Sequence, residues 1–179
     1  KHTRDIRDGV TFPEVFGTQQ WAKQPATHTL QLLDWTIFNL LTGNADCHAK
    51  NLSFFVDAQG IELSPFYDLV NVLLFDFAHD WAMGLGDEFL DNGSLPSTYD
   101  LACFAHACEL PGRLVSQRFE NQINILGSAA KSLFSQLPPL SKFERQHLHQ
   151  YQQILDARLR HFQQNAKGIQ RAISDLILS

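Results

Sequence analysis

Gly43-Asn44-Ala45-Asp46-Cys47-His48-Ala49-Lys50-Asn51 is the stretch on which the reading of this chain turns. Upstream of it, Leu30, Leu33, Ile37, Phe38 and Leu41 recur at helical spacing, with Thr27 as N-cap and Gly43 as the stop. A helix with a broad apolar face therefore hands the chain into a polar loop. Downstream, Leu52 to Val56 is a short β-type run, Asp57-Ala58-Gln59-Gly60 a turn, and Ile61 to Leu63 the returning strand of a hairpin. Ser64-Pro65-Phe66-Tyr67-Asp68 must then leave the strand, because Pro65 has no N–H to offer a ladder.

Within that frame Asp46 and Asn51 are separated by four residues, D-x-x-x-x-N, and Asp68 follows 17 residues after Asn51. In protein-kinase catalytic loops this spacing lets the Asp orient the substrate hydroxyl or accept its proton, while the Asn holds Mg²⁺. A hairpin and a second metal-binding Asp come next in the same order. Mg²⁺ prefers hard oxygen ligands, and two loops joined by a rigid hairpin can aim a carboxamide and a carboxylate at one ion. His48 and Lys50 lie in the same loop, where a cation would offset charge on phosphate oxygens. The spacing alone is equally that of an ordinary Asn/Asp/Gly turn. The order helix, loop, hairpin, Asp is what favours the catalytic reading.

The rest of the chain is read as mainly helical. Residues 1 to 26 are punctuated by Gly9, Pro13, Gly17 and Pro25 and are expected to be irregular. Residues 69 to 96 are mixed and aromatic-rich. Ser97 or Thr98 caps a helix through Leu101, Phe104, Ala105 and Cys108, stopped at Pro111-Gly112. A second helix is expected from about Arg113 to Gln136, with Leu114, Ile123, Leu126, Ala130, Leu133 and Phe134 inward. After Pro138-Pro139, Ser141 caps a Gln-rich helical stretch that runs on through Phe162 and Ile169 to Leu176. The fold class expected is mainly α, with one small β-hairpin after the loop.

At 179 residues the chain is long enough for one domain with a substantial core. Its formal charge of −5, from 14 Lys and Arg against 19 Asp and Glu, disfavours a general grip on nucleic-acid phosphates. Three cysteines, Cys47, Cys103 and Cys108, make neither a disulfide framework nor a CxxC pair, which points to a reducing cytoplasm. No apolar run reaches the ~18 residues that would cross a bilayer. The chain opens on Lys1 rather than Met, which raises the expectation of further sequence upstream.

Other groups read as structural. His147 and His149 are two apart and do not share a helix face. Cys103, His106 and Cys108 fall on one helix and read as core packing, and Cys47 as a small space-filler in the loop. Asp76, Asp80, Asp87, Glu88 and Asp91 form an acidic stretch, read as a solvated loop in the region from His79 to Gly93 where kinases carry activation and docking elements. Arg145, Arg158, Arg160 and Arg171 read as the solvent face of the last helices.

Taken together, residues 43 to 53 and Leu63-Ser64-Pro65-Phe66-Tyr67-Asp68 resemble the paired signature of the HipA family, serine/threonine kinase toxins of bacterial toxin–antitoxin modules. Phe38-Asn39-Leu40-Leu41-Thr42 and Ala82-Met83-Gly84-Leu85 fit that family as well, and the match spans roughly residues 15 to 137. The resemblance implies a protein-kinase-like fold, of which residues 1–179 are the helical C-terminal lobe: catalytic loop 43–53, hairpin 52–63, metal-Asp region 64–70 and helical subdomain 97–179. The N-terminal ATP-binding lobe, with its phosphate loop and strand-borne lysine, is absent from these residues. By the resemblance Asp46 is the catalytic base, Asn51 and Asp68 bind Mg²⁺, and His48, Ala49, Lys50 and Tyr67 line the ATP site together with them. It further implies a protein substrate, an aminoacyl-tRNA synthetase or translation factor, a HipB-like antitoxin, and DNA reached only through that antitoxin. Two other readings stay open: a small-molecule kinase of the aminoglycoside or choline type, and a non-catalytic module that binds an antitoxin.

Overall fold

The computed structural model describes residues 9–75, 80–85 and 94–178. The acidic positions Asp76, Asp87, Glu88 and Asp91, and most of the stretch from His79 to Gly93, lie outside them. The fold is organised by α2 (Pro25–Thr42), which buries residues all round, including Leu32, Leu33, Trp35, Ile37, Leu40 and Leu41. A helix that is apolar on more than one side belongs inside. α2 is flanked by α4 (Gly112–Ser135) and α5 (Lys142–Asn165), while α3 (Thr98–Ala107) and α4 pack on α6 (Ile169–Leu178). Phe119 of α4 and Phe162 of α5 stack with centroids 5.2 Å apart, closing the core between those helices.

Two expectations about the start of the chain are corrected. Residues 12–17 are not irregular but form α1 (Phe12–Gly17), followed by a 3₁₀ turn over Thr18–Trp21. The cause is local: Thr11 and Glu14 form a capping box, with the Thr11 N–H donating to Glu14 Oε2 at 2.8 Å and Pro13 sitting in the first turn. Phe12 and Phe16 then pack edge-on against Phe104 of α3 at 5.2 and 5.8 Å. The second correction concerns α2, which begins at Pro25 with Gln24 as N-cap rather than at Thr27. Thr27 sits inside the first turn, its hydroxyl donating to Gln24 Oε1.

The hairpin forms as expected, with β1 (Phe54–Asp57) antiparallel to β2 (Gly60–Leu63), Phe54 opposite Leu63 and Asp57 opposite Gly60. Ala58 and Gln59 make the two-residue turn. Gly60 has φ +131°, and a Cβ there would stand 2.5 Å from the Trp21 carbonyl oxygen. That close approach holds the hairpin to the segment before α2, where the Lys23 N–H donates to the Ile61 carbonyl and Lys23 Nζ reaches Asp57 at 2.6 Å.

Further along, Ser97 caps α3 through a capping box with Asp100, and Ser141 caps α5 with Glu144. The inward face of α4 agrees in part with the expected one: Ile123 is buried as expected, with Val115 and Phe119 added, whereas Leu133 is exposed. Leu114 and Leu126 pack partly buried against the core edge, and near the C-terminal end of α4 Phe134 is half-buried edge-on against Tyr151 of α5 at 6.1 Å while Leu133 points out. The last helical stretch is broken at Ala166–Gly168, letting α6 fold back on α3 and α4. Arg158 is the sharpest departure: it is buried, not on a solvent face. Among the described residues no helix is long and apolar enough to cross a membrane.

His28, in the first part of α2, is 3% exposed. The Thr18 hydroxyl donates to the Val15 carbonyl, so it accepts from His28 Nε2–H at 2.8 Å, and the ring stacks at 6.0 Å on Phe54. Burial disfavours the imidazolium and pulls its pKa below the ordinary 6.5. A depressed histidine pKa means the unfolded chain binds the extra proton, so this contribution to stability is complete above pH 6.5 and is lost as pH falls through the folded value. Thermal melts from pH 7.5 to 5 should therefore show a falling Tm whose slope flattens in His28→Gln.

Candidate functional site: two loops tied across the end of α2

α2 ends where Gly43 adopts a left-handed conformation, φ +80° and ψ +32°, with the Gly43 N–H donating to the Asn39 carbonyl at 2.9 Å. The Asn44 N–H goes to the same carbonyl at 3.0 Å. The loop that follows is compact. The Asp46 carbonyl accepts from the His48 N–H at 2.9 Å and from Asn51 Nδ2 at 3.3 Å, and Ala49–Asn51 close a 3₁₀ turn. Ala45 and Cys47 on either side of Asp46 are buried, leaving the Asp46 side chain at the half-buried rim. Burial pushes the Cys47 thiol up to about 12, so it is an inert filler rather than a nucleophile.

The second loop, residues 64–70, is bonded to the first at two points. Asn44 Nδ2 donates to Asn39 Oδ1 at 2.9 Å and to the Asp68 carbonyl at 3.0 Å. Tyr67 Oη donates to the Lys50 carbonyl at 2.8 Å and accepts from Ser53 Oγ at 3.0 Å. Asp68 itself has φ +56°, a conformation uncommon outside glycine, though Asp and Asn tolerate it best. Backbone strain of this kind persists only where surroundings over-determine it, and here the preceding and following bonds do so. A third segment closes from another side: the Ala82 N–H donates to the Ala45 carbonyl at 2.9 Å, with Trp81, Met83 and Leu85 buried behind it.

Each residue singled out in the sequence falls in these two loops. Asn51 is buried, its amide nitrogen turned to the Asp46 carbonyl, which directs Oδ1 the other way. His48 is half-buried, Ala49 packs on the core edge, and Lys50, Tyr67 and Asp68 are exposed. Sequence reasoning gave no role to Asn39 and Asn44, which are 0% and 2% exposed. Their signal was present all the same, as polar amides on the last turn of an apolar helix and just past its Gly43 cap, where buried polar groups must be bonded.

Comparison with known proteins now identifies the class. A family model described as the HipA-like C-terminal domain matches residues 7–132, and the chain belongs to that family. It is 36% identical over 159 residues to the serine/threonine-protein kinase toxin HipA of Shewanella oneidensis, covering 88% of this chain and 36% of that protein. It is 42% identical over 80 residues to the putative kinase Y4mE of Sinorhizobium fredii, covering 44% of this chain and 19% of that one. The solved complex of the Shewanella oneidensis HipA, HipB and operator DNA contains a chain that superposes with TM-score 0.87 at 31% identity, covering 96% of this chain and 41% of that one. The fold is thus mainly α and protein-kinase-like, with one small hairpin. The chain spans well under half the length of these relatives.

The inter-loop bonds make separable predictions. Asn44→Ala strips a buried donor from two acceptors and should lower stability by about 1–3 kcal/mol. Tyr67→Phe, at a half-exposed position, should lower it by about 0.5–1.5 kcal/mol. Urea titration reads both, and amide exchange should quicken in residues 44–53 and 64–70 ahead of α4.

Proposed function

We propose that this chain supplies the catalytic loop and metal ligands of a HipA-like serine/threonine-protein kinase toxin, acting with Mg²⁺ and ATP. The observation that carries this reading is the double tie between the Asp46–Asn51 loop and Asp68, through Asn44 and Tyr67. The names of the relatives support a protein hydroxyl as acceptor over a small molecule. In this reading residues 1–179 act as one lobe, and the lobe that clamps the nucleotide comes from the further length that the relatives carry.

The donor set suits the ion. Among the described residues no group of three or more His, Cys, Asp or Glu gathers, so a soft-metal site is not on offer there. Asn51 Oδ1 and an Asp68 carboxylate are hard oxygens on two loops held together, which is how Mg²⁺ is taken when phosphate and water complete its shell. When bound, Mg²⁺ neutralises charge on the phosphates during transfer. Asp46 orients the acceptor hydroxyl and takes its proton, a role that fits a carboxylate at the rim of an otherwise buried loop. With ATP bound, His48 and Lys50 would offer the phosphate oxygens hydrogen-bonding and cationic groups, while Ala49 and Tyr67 would shape the wall. The Tyr67 hydroxyl stays on the Lys50 carbonyl, so the wall and the base move together.

The solved neighbour is a complex of HipA with HipB and operator DNA, and a HipB-like antitoxin is accordingly proposed as the partner, with DNA reached through it. The cytoplasm is the compartment that fits this set of partners.

Phosphate transfer from radiolabelled ATP to protein, measured with the full-length protein across a Mg²⁺ series, tests the assignment. Asp46→Asn should reduce kcat by roughly 10²–10⁴-fold with the fold intact. Asp68→Asn should raise the Mg²⁺ concentration for half-maximal rate about tenfold or more, at little change in melting temperature. Wild-type turnover by Asp46→Asn would sink the reading.

A further inference from the structure

α5 is a polar helix, yet Arg158 on it is 3% exposed. Its Nε donates to the Leu40 carbonyl at 2.7 Å, and its guanidinium carbon lies 5.5 Å from the Trp81 ring centroid and 5.8 Å from that of Phe162. Burial brings its pKa down to about 10, so the side chain remains a cation at neutral pH. A buried cation bonded to a helix carbonyl and lying against two aromatic faces joins parts of the chain that are far apart in sequence.

The bond falls at a particular carbonyl. Leu40 is in the last turn of α2, and the regular helical donor for its carbonyl would be the Asn44 N–H. That N–H is given to Asn39 instead, because the chain turns left-handed at Gly43. Arg158 fills the vacated place and sets a positive charge at the negative end of the α2 dipole. Its second contact, Trp81, begins the segment whose next residue, Ala82, donates to the Ala45 carbonyl, one residue before Asp46. One guanidinium therefore joins α5 to both pieces of chain that flank the Asp46 loop.

We propose that Arg158 is a positioning residue for phosphoryl transfer: by holding the Leu40 carbonyl and the Trp81 ring together, it sets the placement of Asp46 without touching nucleotide or acceptor. The proposal rests on the kinase reading given above. Its effect falls more on the chemical step than on nucleotide binding, since the Asp68 carbonyl is held separately by Asn44, whereas Asn51 is bonded to the Asp46 carbonyl and shares in its placement.

The test uses the full-length protein and three variants. Wild type must transfer phosphate and Asp46→Asn must not; a failure here overturns the kinase reading, and the Arg158 proposal with it, before any Arg158 variant is made. Arg158→Met retains an unbranched side chain between Trp81 and Phe162 but removes donor and charge. It should lower kcat about tenfold or more, by a clearly larger factor than it raises KM for ATP, and speed amide exchange in residues 43–53. Arg158→Lys, which keeps the charge and a donor, should recover part of the loss. A soluble Arg158→Met enzyme with wild-type kcat and wild-type exchange would overturn the proposal alone. If that variant does not fold, Arg158→Lys decides: kcat lowered by a larger factor than KM is raised supports the role, and wild-type kcat with wild-type exchange in residues 43–53 removes it.

Discussion

Both protons of the Asn44 carboxamide are committed in the interior, one to Asn39 Oδ1 and one to the carbonyl of Asp68. The rest of the site depends on that pair of bonds. Asn39 is itself held by its Nδ2 on the Trp35 carbonyl at 2.9 Å, so the chain of amides starts inside α2 and ends at a loop 24 residues beyond Asn44. The Asn44–Asn39 bond is buried and the Asn44–Asp68 bond part-buried, and a buried acceptor left unpaired costs about 1–3 kcal/mol. The geometry between the Asp46 loop and Asp68 is thereby a property of the core rather than of two surface loops.

That arrangement explains why α2 is buried so completely. Leu32, Leu33, Ile37, Leu40 and Leu41 are within 1% of full burial and fix the helix between α4 and α5. Asp34 on its outer edge forms a forked ion pair with Arg118 of α4 and also accepts from Gln122, which adds directional bonds to an otherwise apolar contact. A rigid rod of this kind delivers its last turn to one place, and functional side chains on a rigid support hold their geometry better than those on loops alone. Membership of the HipA-like C-terminal domain family, and the superposition on a solved HipA chain, place the same rod and loops in a kinase-like frame.

Much of this was legible before any coordinates. The hairpin followed from a β-type run, a turn and a return; a cap at Ser97 or Thr98 and another at Ser141 were read ahead of apolar periods, and Ser97 and Ser141 make the caps. The Thr11-Glu14 capping box was equally readable, and the helix it starts was missed because Gly9, Pro13 and Gly17 drew the reading toward loop. Pro13 in a first turn favours a helix, so the same residue argued both ways. The inward face of α4 was read correctly at Ile123 but without Val115 and Phe119, and Leu133 was placed inside although it is exposed. Several registers of an apolar period fit one helix, and only the neighbouring helices decide which turns are covered.

The sequence by itself determined the local devices: the left-handed stop at Gly43, the 3₁₀ turn that brings Asn51 back to the Asp46 carbonyl, the hairpin, and the order in which Asp46, Asn51 and Asp68 occur. These depend on residues a few places apart, and spacing encodes them. Tertiary structure alone decided that Asn44 grips the Asp68 carbonyl, that Tyr67 grips Lys50, and that Arg158, 118 residues from Leu40, lies buried beneath the end of α2. An arginine on a Gln-rich helix reads as solvent-facing because the cost of burying it is high. Among the groups that offset that cost are the Leu40 carbonyl and the Trp81 ring, brought from far along the chain, and no local pattern records where they will be.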